Sequence, residues 1–436
     1  MRKIIQYMMM ALIAVVLASC ANDISEESTP TVKSNIRFVV DDFPMFEKPS
    51  TRTIGEEDKG KTAWVVGDEI CVKLESKELG TQTATLKYNG VKFEIQDGNS
   101  LCYLEGEPVT AYAYYAPGRK YLNDGYLGYK DDGEDGIAEF IEATCKVHYG
   151  DDNYIDISFA NVTRNYSRLR IATMPNKPIT VSISEYTPAG SSNMIWDQNY
   201  ALTSDEKGNA YLYGNFVTNS QFTVKYEEAP LASHTFLQAT VNAKSYALDA
   251  TVVSLADEGL AFDQIVEDVK KELYAGKTYI NLILAPDVDE ETLEAINIGL
   301  KDARDGSINL TLIGCKKIPY EGFMYWKMLK SIALPDVTEI EGKAFSGCTR
   351  LQKVVLGNLT KVYGNVGKKG IFDGCRTEDI DLVLSKDQKV MNGGETEGGY
   401  CWTADITKDY SGSDEHNTPE FLGYGFESIT CGYPVP

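Results

Sequence analysis

Histidine is almost missing from this chain of 436 residues: His148, His234 and His416 are all it has, and they lie in separate regions. A Ser-His-Asp or Cys-His site needs one of them beside a nucleophile and an orienting acid, and no GxSxG-type motif accompanies any of the three. No enzyme activity and no cofactor are expected. Paired CxxC spacing is absent, and with it the ligand pattern of structural zinc. Lysine- or arginine-rich runs are absent too. With 64 acids against 42 bases the net charge is −22, or −24 once Arg2 and Lys3 leave with the leader described below. Such a surface repels phosphate backbones and acidic glycans, which excludes nucleic acid as a partner.

What is present begins at the N-terminus. Arg2-Lys3 precedes an apolar run from Ile4 to Leu17 that is too short for a stable membrane span and reads as a secretion signal. It closes on Leu17-Ala18-Ser19-Cys20, which resembles a bacterial lipobox. That resemblance implies cleavage after residue 19 and acylation of Cys20, so that residues 1–19 are a lipoprotein signal peptide and Cys20 is the lipid attachment site. Two or three acyl chains suffice for stable anchoring, at about 0.8 kcal/mol per buried CH₂. Asp23, Glu26 and Glu27 follow, as acids do after the lipid cysteine in some proteins exported to the outer face of the outer membrane. Residues 20–34, rich in Ser, Glu, Thr and Pro, read as a tether.

From Asn35 the texture becomes alternating strands. Ile70, Val72 and Leu74 share one side while Lys73 and Glu75 share the other, and Asn89-Gly90 between two strands marks a tight hairpin. A second series runs from Tyr154 to Val253, with Pro175 and Pro178 at turns. The expectation is two all-β sandwiches, residues 35–162 and 163–257. Arg52-Thr53, Trp64-Val65-Val66-Gly67-Asp68-Glu69-Ile70 and Ala113-Tyr114-Tyr115-Ala116-Pro117 together resemble the fimbrillin-like lipoproteins. The resemblance covers roughly residues 35–255. It implies tandem transthyretin-like sandwiches and makes Arg52 a candidate for proteolytic trimming.

The third part, residues 258–436, opens with two helical patterns. Phe262, Ile265, Val266, Val269 and Leu273 form one stripe with Gly276 past its end; Leu293, Ile296, Leu300 and Ala303 form another, capped by Asp287 or Asp289 and ended by Gly306. Then Leu312-Ile313-Gly314-Cys315, Leu334-Pro335-Asp336-Val337 and Leu356-Gly357-Asn358-Leu359 recur at a 22-residue step, continuing to Phe323, Phe345 and Phe372. Ala344-Phe345-Ser346-Gly347-Cys348-Thr349-Arg350-Leu351 resembles the BspA-like leucine-rich repeat family, whose members are largely surface proteins implicated in adhesion. The expected fold class is therefore multidomain: two tandem transthyretin-like sandwiches, then an α/β leucine-rich repeat solenoid with a helical N-terminal cap that shares no core with them. Leu334 and Leu356 should fill equivalent buried slots, with Ser331, Ala333, Lys353, Val355, Asp379 and Asp381 turned outward.

Smaller features have ordinary readings. Asp131-Asp132-Gly133-Glu134-Asp135-Gly136 with Glu142 approaches a calcium loop, but Gly133 supplies no ligand oxygen, and an acidic turn explains it better. Tyr112, Tyr114 and Tyr115, or Tyr121, Tyr126 and Tyr129, could stack on sugars but more often pack inside. The cysteines read as buried thiols, with a Cys401–Cys431 disulfide as an alternative. The functional expectation is a non-enzymatic, lipid-anchored cell-surface protein of adhesion or interaction type, acting through the leucine-rich repeats. Its partners would be the outer membrane, through the anchor, and a host or bacterial surface protein or glycan. The alternatives are an anchor or tip component of a fimbrillin-type pilus, or a glycan-binding lipoprotein of a sugar-uptake system.

Overall fold

Alternating sequences build the N-terminal half. The computed structural model describes residues 31–385 and 420–431, apart from 35, 47–60, 97–99, 123–124, 131–133, 151–152, 160–161, 163, 258–259, 363–369 and 423. Glu69–Ser76 and Gly80–Tyr88 pair antiparallel and centre a five-stranded sheet, completed by Phe93–Ile95, Val109–Tyr115 and Ile141–Glu142. A three-stranded sheet of Arg37–Val40, Thr144–His148 and Tyr154–Ser158 packs against it. Ile70, Val72 and Leu74 are fully buried between them with Leu86, Ile155 and Phe159. Asn89 makes the hairpin, its Oδ1 accepting from the N–H groups of Val91 and Lys92 at 2.9 and 3.0 Å. Trp64 lies in a loop and packs edge-on to Phe43, Phe93, Tyr115 and Phe159, its indole N–H donating to the Asp41 carbonyl at 2.7 Å.

The second β region is a single hydrogen-bonded sheet of seven strands. The long Pro178–Pro188 strand joins it together. Its first part lies between Ile195–Thr203 and Gln221–Tyr226, and its last three residues pair with Asn209–Phe216. Ser167–Ala172 runs between Asn209–Phe216 and Ser245–Asp249. Leu169, Ile171, Leu212 and Val224 face the core.

The C-terminal part is built on one seven-stranded sheet, in the order Val253–Ser254, Tyr279–Ile283, Ile308–Ile313, Leu329–Leu334, Lys353–Leu356, Asp381–Leu384, Ser428–Cys431, every pair parallel. The 22-residue step is visible as register, since Leu334 pairs with Leu356 and both are fully buried. Side chains repeat the step: the Gly314 N–H donates to Asp336 at 2.8 Å, and Lys343 and Lys361 pair with Glu321 and Glu339, each at 2.9 Å. Beneath the strands the rings of Phe323, Phe345 and Phe372 stack at 5.4 and 5.0 Å.

The expected fold class is nevertheless corrected. Strand makes up 44% of the structure, with only two helices among the described residues, so the C-terminal part is not an α/β leucine-rich repeat solenoid. The turns after Ile308–Ile313 and Leu329–Leu334 are not helical, and Glu321, Tyr325, Lys343 and Gly347 in them take positive φ. The helices Phe262–Tyr274 and Glu290–Leu300 are not an N-terminal cap. They are crossovers between neighbouring parallel strands, laid on the sheet face, while Val253–Ser254 forms the edge. They touch closely at Gly299, where a methyl group would stand 2.7 Å from Val269 Cβ. Asp289 caps the second helix through the Thr292 N–H, and that helix ends at Leu300, before Gly306. The all-β, multi-sheet character expected of the first two regions fits in part: the first is two facing sheets, and the second a single hydrogen-bonded sheet of seven strands, with no transthyretin-like topology shown.

The expected independence of the C-terminal part also fails. Ile313 belongs to the core of the second β region, with Ile283 packed beside it. Ala229 forms a buried cluster with Ala333 and Val355. The Asn281 amide donates to the Leu231 carbonyl at 2.8 Å and the Thr251 carbonyl at 3.2 Å, and Thr311 Oγ1 donates to the Pro230 carbonyl at 3.1 Å. Asn281→Leu leaves two buried carbonyls without this donor and should cost about 1–3 kcal/mol. Hydrogen exchange is expected to quicken in both Ala229–Thr235 and Tyr279–Ile283; quickening in the second strand alone would mean that the two regions do not share a packed face.

Candidate functional site: a cleft between the two β regions

Of the residues turned outward from the repeat strands, Lys353 and Asp381 are exposed, while Ser331, Ala333 and Val355 are covered. Ser331, Ala333 and Val355 are 9%, 2% and 1% exposed, because Ala229–Thr235 of the second β region lies over them. Small side chains there permit the close approach of two sheets. That covering takes Ser331, Ala333 and Val355 out of any surface for recognition through these strands.

A cavity of about 1070 Å³ opens instead where the first and second β regions meet. Alternation supplies one wall. In Ser167–Ala172 the core takes Leu169 and Ile171, which turns Arg168 and Arg170 the other way; in Asn209–Phe216 the core takes Ala210 and Leu212, which turns out Tyr211 and Tyr213. The register sets Arg168 directly opposite Tyr213 and Arg170 opposite Tyr211. The two tyrosine rings lie 6.4 Å apart and 24° from parallel. Lys61, Tyr115 and Glu139 face them, and the Asp205-Glu206-Lys207 turn closes one end.

Beside the cavity is a buried ion pair. Arg164 and Glu139, 3% and 8% exposed, meet at 2.7 Å, and the Tyr166 hydroxyl donates to the same carboxylate at 3.1 Å. The Arg164 guanidinium lies 3.9 Å from the centre of the Phe46 ring. Lys61 donates to the Tyr115 hydroxyl at 2.8 Å, pairs with Asp68, and sits 4.6 Å from the centre of the Tyr115 ring. Burial pushes the Tyr115 and Tyr213 phenols well above their ordinary range, and the Glu139 charge adds to both shifts. Both therefore remain neutral hydroxyls at physiological pH.

The other candidates are dispersed. Cys20, Arg52, His416 and Cys401 lie outside the described residues. Tyr115 is in the first core; Tyr112 lies under the Lys73 ammonium at 4.4 Å; the Tyr114 hydroxyl donates to Glu142 at 3.2 Å. Tyr129 lies under Arg119, and Tyr126 is exposed. Asp131 to Gly133 are outside the described residues; Asp135 is held by Arg119, and Glu134 accepts from Gln198 at 2.7 Å. Among the described residues no group of three His, Cys, Asp or Glu side chains is placed to hold a metal ion. His148 stacks on Tyr154 at 4.1 Å, while His234 meets Phe236 in the second region. Burial pushes the Cys71 and Cys375 thiols up to about 11 and the Cys145 and Cys315 thiols up to about 12, which keeps all four protonated and unreactive at neutral pH. The Arg-Tyr wall was missed because alternation shows which residues leave the core but not which strand lies opposite.

No family model matches the chain, and no curated protein matches it. Among solved structures, a suspected cell adhesion protein from Bacteroides fragilis NCTC 9343 aligns with 50% of this chain and 93% of its own length, at 10% identity and a TM-score of 0.25. Similarity that low decides neither fold nor function.

The ion pair gives a test of the cleft's architecture. Glu139→Ala strands a buried cation and should lower stability by roughly 3–5 kcal/mol in urea unfolding, with much of the loss recovered in Glu139→Ala/Arg164→Met. A single variant within about 1 kcal/mol of the parent would mean that the pair is solvated.

Proposed function

We propose that this chain is a non-enzymatic binding protein of the bacterial cell surface, held in the outer membrane by lipid on Cys20 and acting in adhesion. The observation that carries the location is Leu17-Ala18-Ser19-Cys20 behind a charged and apolar leader. No helix among the described residues is long and apolar enough to cross a membrane, so a lipid is the anchor this reading requires. The binding role is supported by the cleft, which is large enough for an extended ligand. Among the described residues no serine, cysteine or histidine lines it, and its most buried carboxylate, Glu139, is held by Arg164 and Tyr166. Groups fixed in this way orient a ligand more readily than they exchange protons with one.

Fractionation of cells producing Cys20→Ala should move the protein from the membrane to the soluble fraction; undiminished membrane retention would remove the lipid anchor from the account. Protease added to intact cells should digest the wild-type chain and spare a periplasmic marker. Survival of both would place the chain inside the envelope.

A further inference from the structure

We propose that the turns at one end of the repeat sheet bind an acidic saccharide, on a patch formed by Tyr325, Lys327, Lys330 and Arg350. The site is separate from the cleft and needs neither the cleft nor the lipid anchor. It lies within residues 260–362, every one of which is described.

Charge comes first. Although the whole chain carries −22, residues 306–362 hold eight Lys and Arg against four Asp and Glu. All four acids are already paired between neighbouring units: Asp336 with Lys316 at 3.2 Å, Glu341 with Lys317 at 2.6 Å, Glu321 with Lys343 and Glu339 with Lys361, each at 2.9 Å. Four cations remain. Lys353 lies among Lys225, Glu228 and Asp381, which leaves three. Lys327, Lys330 and Arg350 are exposed, and among the described residues they have no ion pair and no side-chain hydrogen bond. They stand where the neighbouring strands Leu329–Leu334 and Lys353–Leu356 begin, and such strands lie about 4.8 Å apart.

Two acids border the patch. Asp305 is offset by Arg304 beside it, in the turn whose Gly306 would place a methyl group 3.3 Å from Arg350 Cβ. Asp373 lies beyond Gly347, whose N–H donates to its carbonyl. The acid excess of the chain as a whole would repel an acidic glycan at a distance, but salt screens it within about 10 Å. At contact the three cations outnumber the acids that border them, and the local sign governs.

The ring comes second. Tyr325, Gly347 and Gly374 occupy the same place in successive units, two residues past Phe323, Phe345 and Phe372. All three have positive φ, at 64°, 72° and 73°. That region suits glycine, which has no Cβ to clash. The first unit nevertheless carries a tyrosine, 64% exposed, so core packing does not account for it. Its ring lies over Gly347, where a methyl group would come within 2.3 Å of Cδ1. A flat ring seated on backbone and open to solvent is a platform for the apolar face of a sugar.

Other anionic partners fit less well. An extended peptide gains its affinity from main-chain pairing at a strand edge. Here the N–H groups of Phe323, Tyr325 and Gln352 already donate to the carbonyls of Ala344, Ser346 and Lys330 in the adjoining unit. A lipid surface takes up apolar side chains, and Phe323, Trp326, Leu329 and Leu351 between the cations are all buried.

The test is calorimetry on the purified full chain with oligogalacturonate and a heparin hexasaccharide. Maltohexaose is the neutral control, oligoglutamate the peptide control and phosphatidylglycerol vesicles the lipid control. At least one acidic saccharide is expected to bind, less tightly as salt rises, with maltohexaose at least tenfold weaker. Lys327→Gln/Arg350→Gln should weaken binding roughly tenfold or more, as loss of charge-assisted contacts implies, with an unchanged melting curve. Tyr325→Gly should weaken binding by a similar factor and melt no lower than the parent, because glycine relieves the left-handed backbone. Lys177→Gln, an exposed lysine of the second β region, should bind like the parent. The proposal is overturned if no acidic saccharide binds, or if maltohexaose, oligoglutamate or the vesicles bind as tightly. It is equally overturned if either patch variant binds like the parent, if Tyr325→Gly lowers the melting temperature, or if Lys177→Gln weakens binding as much.

Discussion

A parallel sheet must be covered on both faces, and the rest of this structure follows from how that requirement is met. On one face the cover comes from the chain's own crossovers: two helices over the first strands, then turns carrying Phe323, Phe345 and Phe372 in a continuous stack. On the other face the cover comes from the preceding β region. Ala229 seats against Ala333 and Val355, Ile313 enters the neighbouring core, and Asn281 and Thr311 satisfy the carbonyls of Leu231 and Pro230. These polar bonds act where an unpaired carbonyl would be costly, so they fix one relative placement of the sheets and not a sliding family of them.

That placement determines where recognition can occur. Part of the strand face that a repeat array would ordinarily offer to a partner, at Ser331, Ala333 and Val355, is spent on internal packing, and a concavity lies at the other side of the second β region. There one sheet serves two purposes. Leu169, Ile171, Ala210 and Leu212 build its core, while the alternate residues Arg168, Arg170, Tyr211 and Tyr213 wall the cleft. The buried Arg164–Glu139 pair with Tyr166 stiffens the opposite side.

Much of the fold was legible because its signals are local. The stripe from Phe262 to Leu273, a cap at Asp287 or Asp289 and the Asn89 hairpin depend on near neighbours in the chain, the 22-residue step shows as repetition, and the structure places the step, the stripe, the hairpin and the cap, at Asp289. What was not legible depends on distant pairing. The stripe Leu293, Ile296 and Leu300 is the same whether a helix caps a stack or crosses over a sheet. Ser331 and Ala333 were sorted to the correct side of their strand, but being small they gave no sign that Ala229, about a hundred residues earlier, lies upon them. Likewise Arg168-Leu169-Arg170 and Tyr211-Leu212-Tyr213 alternate plainly, yet only the register joins them into one wall.

The most direct measurement is cysteine accessibility across the covered face. Ala333→Cys and Val355→Cys replace buried small side chains, and Thr235→Cys on the exposed end of the covering strand is the control. Native protein is treated with iodoacetamide and the labelled peptides are quantified over time. If the second β region closes the sheet, positions 333 and 355 are labelled only through rare opening, orders of magnitude more slowly than 235. Labelling of all three at similar rates would show an open face and return recognition to the repeat strands.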